Sequence, residues 1–163
     1  MKHTQAKVKF DLKQPIQFLA LGFGSGLAPK APGTFGTLAA IPLFLLLSML
    51  TPIVYVLAVV IVSIVGIYIC GKAADDVGVH DHPAIVWDEF AGYFITMIMA
   101  PISWQSIVVG FVLFRIFDIL KPWPISFIDK KISGGLGIML DDIVAGFMAL
   151  ISLWLIGKYS GWL

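Results

Sequence analysis

The 163-residue chain holds one arginine, one cysteine and few charges of either sign. Asp, Glu, Lys and Arg make up 13% of it, against about 25% in an ordinary soluble domain. A single arginine, Arg115, leaves no basic stripe to track a polynucleotide backbone, so nucleic acid is excluded as a partner. The lone Cys70 excludes an internal disulfide and any cysteine-rich metal site, and reads as a small packed residue. Internal repeats, low-complexity tracts and linker-like stretches are all missing, so residues 1–163 read as one domain. A cleaved signal peptide also fits poorly. The apolar stretch after Lys2, Lys7, Lys9 and Lys13 is short, runs into glycines, and follows a basic region broken by Asp11.

What the chain has in quantity is oil. Hydrophobic residues make up 59% of it, and mean hydropathy is +0.95. This composition predicts an integral membrane protein. A crossing helix needs about 20 apolar residues, fewer where the bilayer thins. Candidate crossings fall near 35–50, 53–71, 85–100, 103–120 and 138–156. Pro101, Pro122 and Pro124 close the third and fourth. Residues 16–27 are too few to cross and predict an interfacial or re-entrant helix. The expected fold is all-α: a polytopic membrane helix bundle of about four to five transmembrane helices plus that N-terminal element.

Parity assigns the sides. Minimal connections at Thr51-Pro52 and Pro101-Ile102-Ser103 force antiparallel neighbours. All ten acids then fall on or close to one side, as do all the basic residues except Lys158. The connections on the opposite side carry no charge. The positive-inside rule makes the charged side the cytoplasm. The expectation is thus a multi-pass protein of the bacterial cytoplasmic membrane with its acids facing inward.

Those acids interrupt the oil. Asp88-Glu89, Asp118 and Asp141-Asp142 are set in or beside long apolar runs, with Asp129 nearby. Ionisable groups in such segments are costly and usually functional. Helix-dipole capping accounts for one acid near a helix N-terminus, but not for two adjacent pairs. Asp118, at a helix C-terminus, needs a partner, and Arg115 and Lys121 each lie three residues away. Carboxylates at close quarters resist joint ionisation, and a divalent cation removes the conflict. Oxygen donors without clustered Cys or His suit Mg2+, Mn2+ or Ca2+. His80 and His82 flank Asp81 as either a ligand or proton relay, or plain loop histidines.

A glycine-rich stretch, GFGSGLAPKAPGTFGT, opens the first crossing. Gly33, Thr34, Gly36 and Thr37 offer either backbone N–H groups and hydroxyls to an anion, or small surfaces for helix packing. A second cluster, SGGLG, precedes Asp141. Arg115, Lys121 and Lys30 beside the acids suit a phosphate. Metal, phosphate clamp and spare carboxylate together describe metal-assisted phosphoryl chemistry. A cysteine phosphatase would need an arginine soon after Cys70, a histidine-nucleophile lipid phosphatase more than one arginine, and an aspartyl phosphatase a D-x-D pair; all are missing. Direct attack by a metal-activated water, with a carboxylate as base, survives.

The strings GFGSGLAPKAPGTFGTLAAIP, VHDHPAIVWDEFAG, FRIFDILKPWPI and GGLGIMLDDIVAG resemble, in order, the motifs of the bacterial phosphatidylglycerophosphatase A family. The resemblance runs from about residue 16 to about 150. It implies a Mg2+-dependent hydrolysis of phosphatidylglycerophosphate to phosphatidylglycerol and phosphate, with membrane lipid as substrate and partner. Carried over by residue, its acids fall on Asp88, Glu89, Asp118, Asp141 and Asp142; of these we assign Asp88, Glu89 and Asp142 as metal ligands, and Asp118 and Asp141 as the base or its support. Arg115 and Lys121 would form the basic clamp, and Gly33, Thr34, Gly36 and Thr37 a phosphate loop.

Two other classes fit less well. A CDP-alcohol phosphotransferase would carry spaced aspartates after D-G and A-R, which this chain lacks. An ion-coupled transporter would hold its ionisable groups near the midplane of a repeat.

Overall fold

A computed structural model describes residues 9–161; Lys2 and Lys7, counted in the charge asymmetry, lie outside them. The described residues form seven α-helices and one 3-10 turn, without a strand. Prolines and glycines punctuate them. Helix α1 (Pro15–Ala20) opens on Pro15 and gives way to a left-handed Gly22-Phe23-Gly24 and the 3-10 turn Ser25–Leu27. Helices α2 (Pro32–Leu47) and α3 (Pro52–Val77) each start on proline, whose fixed φ suits a first turn that has no N–H partner to lose. Ser103 caps α5 (Trp104–Leu120) by accepting from the Ser106 N–H at 3.2 Å. Lys121, Pro122 and a cis Trp123-Pro124 bond then turn the chain into α6 (Ile125–Lys131). The last helix, α7 (Gly134–Ser160), ends on a left-handed Gly161.

Helices α3 and α7 are long and apolar enough to cross a membrane, while α2 is apolar but shorter. At 1.5 Å per residue α3 and α7 run about 40 Å, and α2 and α5 about 25 Å. The outward faces of α3 and α5 are oily, with Ile53 75%, Ile64 62% and Leu120 72% exposed. A water-facing helix would carry polar groups at such positions.

The 85–100 segment departs from expectation. Its helix, α4 (Trp87–Thr96), is only about 15 Å long. Turns at 97–99 follow it. Nine of its ten residues, Asp88 to Thr96, are buried. It does not face outward but fills the centre, against α2, α3, α5 and α7. Its Phe90 and Tyr93 share a core cluster with Phe44 of α2 and Phe114 of α5. A short helix can sit there because its irregular ends are shielded: the Val86 N–H donates to the Ala20 carbonyl at 2.8 Å, and the Tyr55 hydroxyl to Phe94 O at 2.8 Å. Glycine makes its closest crossing possible. A β-carbon on Gly146 of α7 would stand 2.5 Å from the Gly92 carbonyl oxygen.

Two further differences concern the site. Helix α6 was not anticipated, because KPWP reads as a stop. Helix α7 starts four residues earlier than expected, so Asp141-Asp142 lie two turns inside it and not at its end.

Candidate metal and phosphate site

Three helices bring the acids together at one end of the bundle. Asp88 and Glu89 occupy the first turn of α4, where the dipole favours negative charge. They point inward and both are buried. Asp118 comes from the last turn of α5, and Asp141 and Asp142 from the third turn of α7. Capping cannot explain the α7 pair, which is too far from the helix start for the dipole to reach.

Asp88, Glu89 and Asp142 form the tightest group. One carboxylate oxygen from each lies within 4.8 Å of the others. Asp88 Oδ1, Glu89 Oε2 and Asp142 Oδ2 are buried without any hydrogen-bond partner. Orphaned buried carboxylate oxygens in so tight a group are unfavourable as ions, and a bound cation relieves the arrangement without protonating them. The donor set is all oxygen, which fits a hard divalent cation and does not by itself choose among them.

Arg115 stands beside this group. Its Nη1 lies 2.5 Å from Asp118 Oδ2 and 3.6 Å from Glu89 Oε1. The contacts are ionic but poorly directed, and Nε and Nη1 find no aligned acceptor. A buried guanidinium with free N–H directions next to an oxygen cage is a ready receptor for phosphate oxygens.

Helix α2 closes the site at Gly33. A β-carbon there would stand 2.2 Å from Glu89 Oε1 and 3.0 Å from both Arg115 Nη atoms. The other residues of the predicted phosphate loop have groups already engaged within the protein. The Thr34 N–H already donates to Ala31 O at 2.9 Å. Gly36 packs on Val86, and the buried Thr37 hydroxyl donates to Gly33 O at 2.9 Å.

Lys121 is held twice. Its Nζ lies 2.6 Å from Asp141 Oδ2 and 2.6 Å from Asp129 Oδ1. Burial pulls its pKa down, but the hydrogen bonds to Asp129 and Asp141 more than offset that, and the net shift is upward. Asp141 is fully engaged, since its Oδ1 accepts the Asp142 N–H at 3.0 Å. Asp118 meets Arg115 through its Oδ2.

The histidines stay outside the acid group. His80 Nε2 accepts from the Gly134 N–H at 2.6 Å, tying its loop to the start of α7. His82 Nδ1 accepts from the Ala84 N–H at 3.1 Å, and burial lowers its pKa. Lys30 is exposed and enters no ion pair among the described residues. Cys70 is buried, its Sγ 3.8 Å from Met139 Sδ. Asp129 is the residue whose part was not foreseen; its only signal was an acid shortly after KPWP.

The sequence profile described as Phosphatidylglycerophosphatase A matches residues 18–157. The chain belongs to the phosphatidylglycerophosphatase A family. A protein named phosphatidylglycerophosphatase A from Escherichia coli is 48% identical over 155 residues, 94% of this chain and 90% of its own. One of the same name from Haemophilus influenzae is 49% identical over 145 residues, 88% of this chain and 89% of its own. A Bacteroides thetaiotaomicron protein provisionally named a phosphatidylinositol-3-phosphatase is 34% identical over 151 residues, 85% of this chain and 94% of its own. No solved structure matches the chain. As a phosphatidylglycerophosphatase A family member the chain is an enzyme, a phosphatase.

Proposed function

We propose that this chain hydrolyses phosphatidylglycerophosphate to phosphatidylglycerol and inorganic phosphate. The observation that carries the reading is the trio of orphaned carboxylates beside an Arg115 with free N–H groups. Two relatives near half identity carry that activity in their names. Asp88, Glu89 and Asp142 would hold a divalent cation, Mg2+ in our reading. Bound there, such an ion supplies charge neutralisation and Lewis-acid polarisation of the phosphate.

The protein's own groups then divide the work. Arg115 binds phosphate oxygens through Nε and Nη1, with Asp118 and Glu89 fixing its plane. Gly33 leaves room for Glu89 and Arg115 to meet the substrate. Lys121 contributes a second positive charge. Asp118 is the better proton acceptor, because Asp141 is spent on Lys121 and the Asp142 N–H. An attacking water bonds to phosphorus and gives its proton to Asp118. The glycerol oxygen leaves with the electrons of the P–O bond and takes a proton from solvent.

The membrane setting follows the same reading. Helices α2, α3, α5 and α7 cross the bacterial cytoplasmic membrane, and α4 with its turn completes a fifth passage shielded inside the bundle. The acids face the cytoplasm, where the basic residues gather. Acyl chains stay in the bilayer while the head group reaches the site. Trp123, exposed after α5, suits the interface.

Purified protein should release phosphate from phosphatidylglycerophosphate with Mg2+ and not after chelation. The Bacteroides relative gives a second reading, a 3-phosphorylated inositol lipid. Release from that lipid alone would overturn the first. A reporter inserted between Pro101 and Ser103 should read as external; a cytoplasmic reading would overturn the orientation.

A further inference from the structure

Lys121 is an odd place for two carboxylates to meet. It ends α5 in the left-handed region, with φ 44, a conformation that costs a non-glycine residue energy. Its side chain spans from α6 to α7, touching Asp129 Oδ1 and Asp141 Oδ2 at 2.6 Å each. The two partners are not equivalent. The Asp141 side chain is 8% exposed and locked by a second hydrogen bond, whereas that of Asp129 is 36% exposed with Lys121 as its only partner among the described residues. One carboxylate is a fixture and the other can leave.

We propose that Asp129 is a placeholder for phosphate. Its carboxylate holds the Lys121 ammonium forward in the resting enzyme, and a phosphomonoester or the phosphate product displaces it. The chemistry supports an exchange. A carboxylate and a phosphate oxygen offer the ammonium the same kind of charge-assisted acceptor. Asp129 sits on α6, which packs against α7, but its half-exposed side chain can turn toward solvent without moving either helix. Asp141 keeps Lys121 charged and placed after Asp129 has gone. Asp129 is thus a positioning residue that sets the affinity for anions, and it never touches the reacting atoms. The inference rests on Lys121 being a phosphate ligand, as proposed above.

The test is calorimetric titration of inorganic phosphate into the full-length, detergent-solubilised protein with Mg2+ present, beside steady-state kinetics on phosphatidylglycerophosphate vesicles. Asp129→Asn should bind phosphate about two- to fivefold more tightly, the yield of removing one half-exposed competing ion pair. KM for the lipid should fall by a similar factor, and Asp129→Glu should restore both values. Unchanged or weaker phosphate binding by Asp129→Asn, with Asp129→Glu like the native protein, overturns the proposal. So does a lower lipid KM with unaltered phosphate affinity, which would trace to membrane surface charge. The two readings fail separately. Native protein that binds phosphate in the expected order but leaves the lipid intact sinks the proposed substrate and not the placeholder.

Discussion

Glu89 Oε1 lies 2.2 Å from the point a β-carbon would occupy on Gly33. The carboxylate has taken the space that any other residue would fill, so the start of α2 and the acids of α4 are in direct contact. Gly33→Ala should therefore damage chemistry and spare the fold. The atom in the way is the free end of a side chain, which can swing aside, and alanine favours the helix by about 1 kcal/mol. Glu89 displaced by about an ångström should cost kcat roughly tenfold to a hundredfold. Turnover and thermal unfolding measured on one preparation check this; loss of both together would refute it.

Asp88→Asn and Asp142→Asn should abolish turnover and yet stabilise the metal-free protein. Both carboxylates are buried against each other with orphaned oxygens, so neutralising one removes repulsion and a desolvated charge. The gain should be roughly 1–3 kcal/mol in chelator, read as a higher Tm. Added Mg2+ should raise the Tm of the native protein by mass action and leave both variants nearly unmoved. A Tm that ignores Mg2+ in the native protein would remove the metal assignment.

How much of this could be read from the residues varies by element. The acids, Arg115 and Lys121 were legible because charge inside oil has few explanations. The all-helical class followed from apolar runs bounded by proline. The interior position of α4 was not legible. IVWDEFAGYFITMIMA is as oily as a crossing helix, and only its glycine contact, Gly92 against Gly146, shows that another helix covers it. The early start of α7 was hidden because SGGLG reads as a turn, yet Gly135 packs on the Ile67 carbonyl of α3 within the helix. Gly36 and Thr37 show the same ambiguity. Small residues serve anion binding and close packing equally, and here Val86 takes the space beside Gly36.

Stability should fall on the acid side partly through His82. Burial lowers its pKa below the ordinary 6.5. The unfolded chain then takes up a proton that the folded chain resists. The stability carried by neutral His82 is whole above that ordinary value and is lost as pH falls toward the lowered one. The imidazole is only partly buried, so the effect is small. Between about pH 7 and about pH 5.5 the Tm of His82→Gln should drop less than that of the native protein. Parallel curves for the two would show that His82 does not contribute.

Gly146→Ala makes the sharpest contrast with Gly33→Ala. The two substitutions add the same methyl group to a helix. At Gly33 the methyl meets a movable carboxylate; at Gly146 it meets the Gly92 carbonyl oxygen at 2.5 Å, which is backbone. Relief there requires α4 and α7 to move apart. That also strains the Thr96 hydroxyl contact to Gly146 O at 3.4 Å. Overpacking of this kind costs about 1–3 kcal/mol. It should lower Tm by several degrees, and activity should fall along with the folded fraction. At a temperature where the variant is still folded, its KM should stay near the native value, because the crossing lies a full turn along α4 from Asp88 and Glu89. A normal Tm for Gly146→Ala would mean that α4 does not occupy the centre of the bundle.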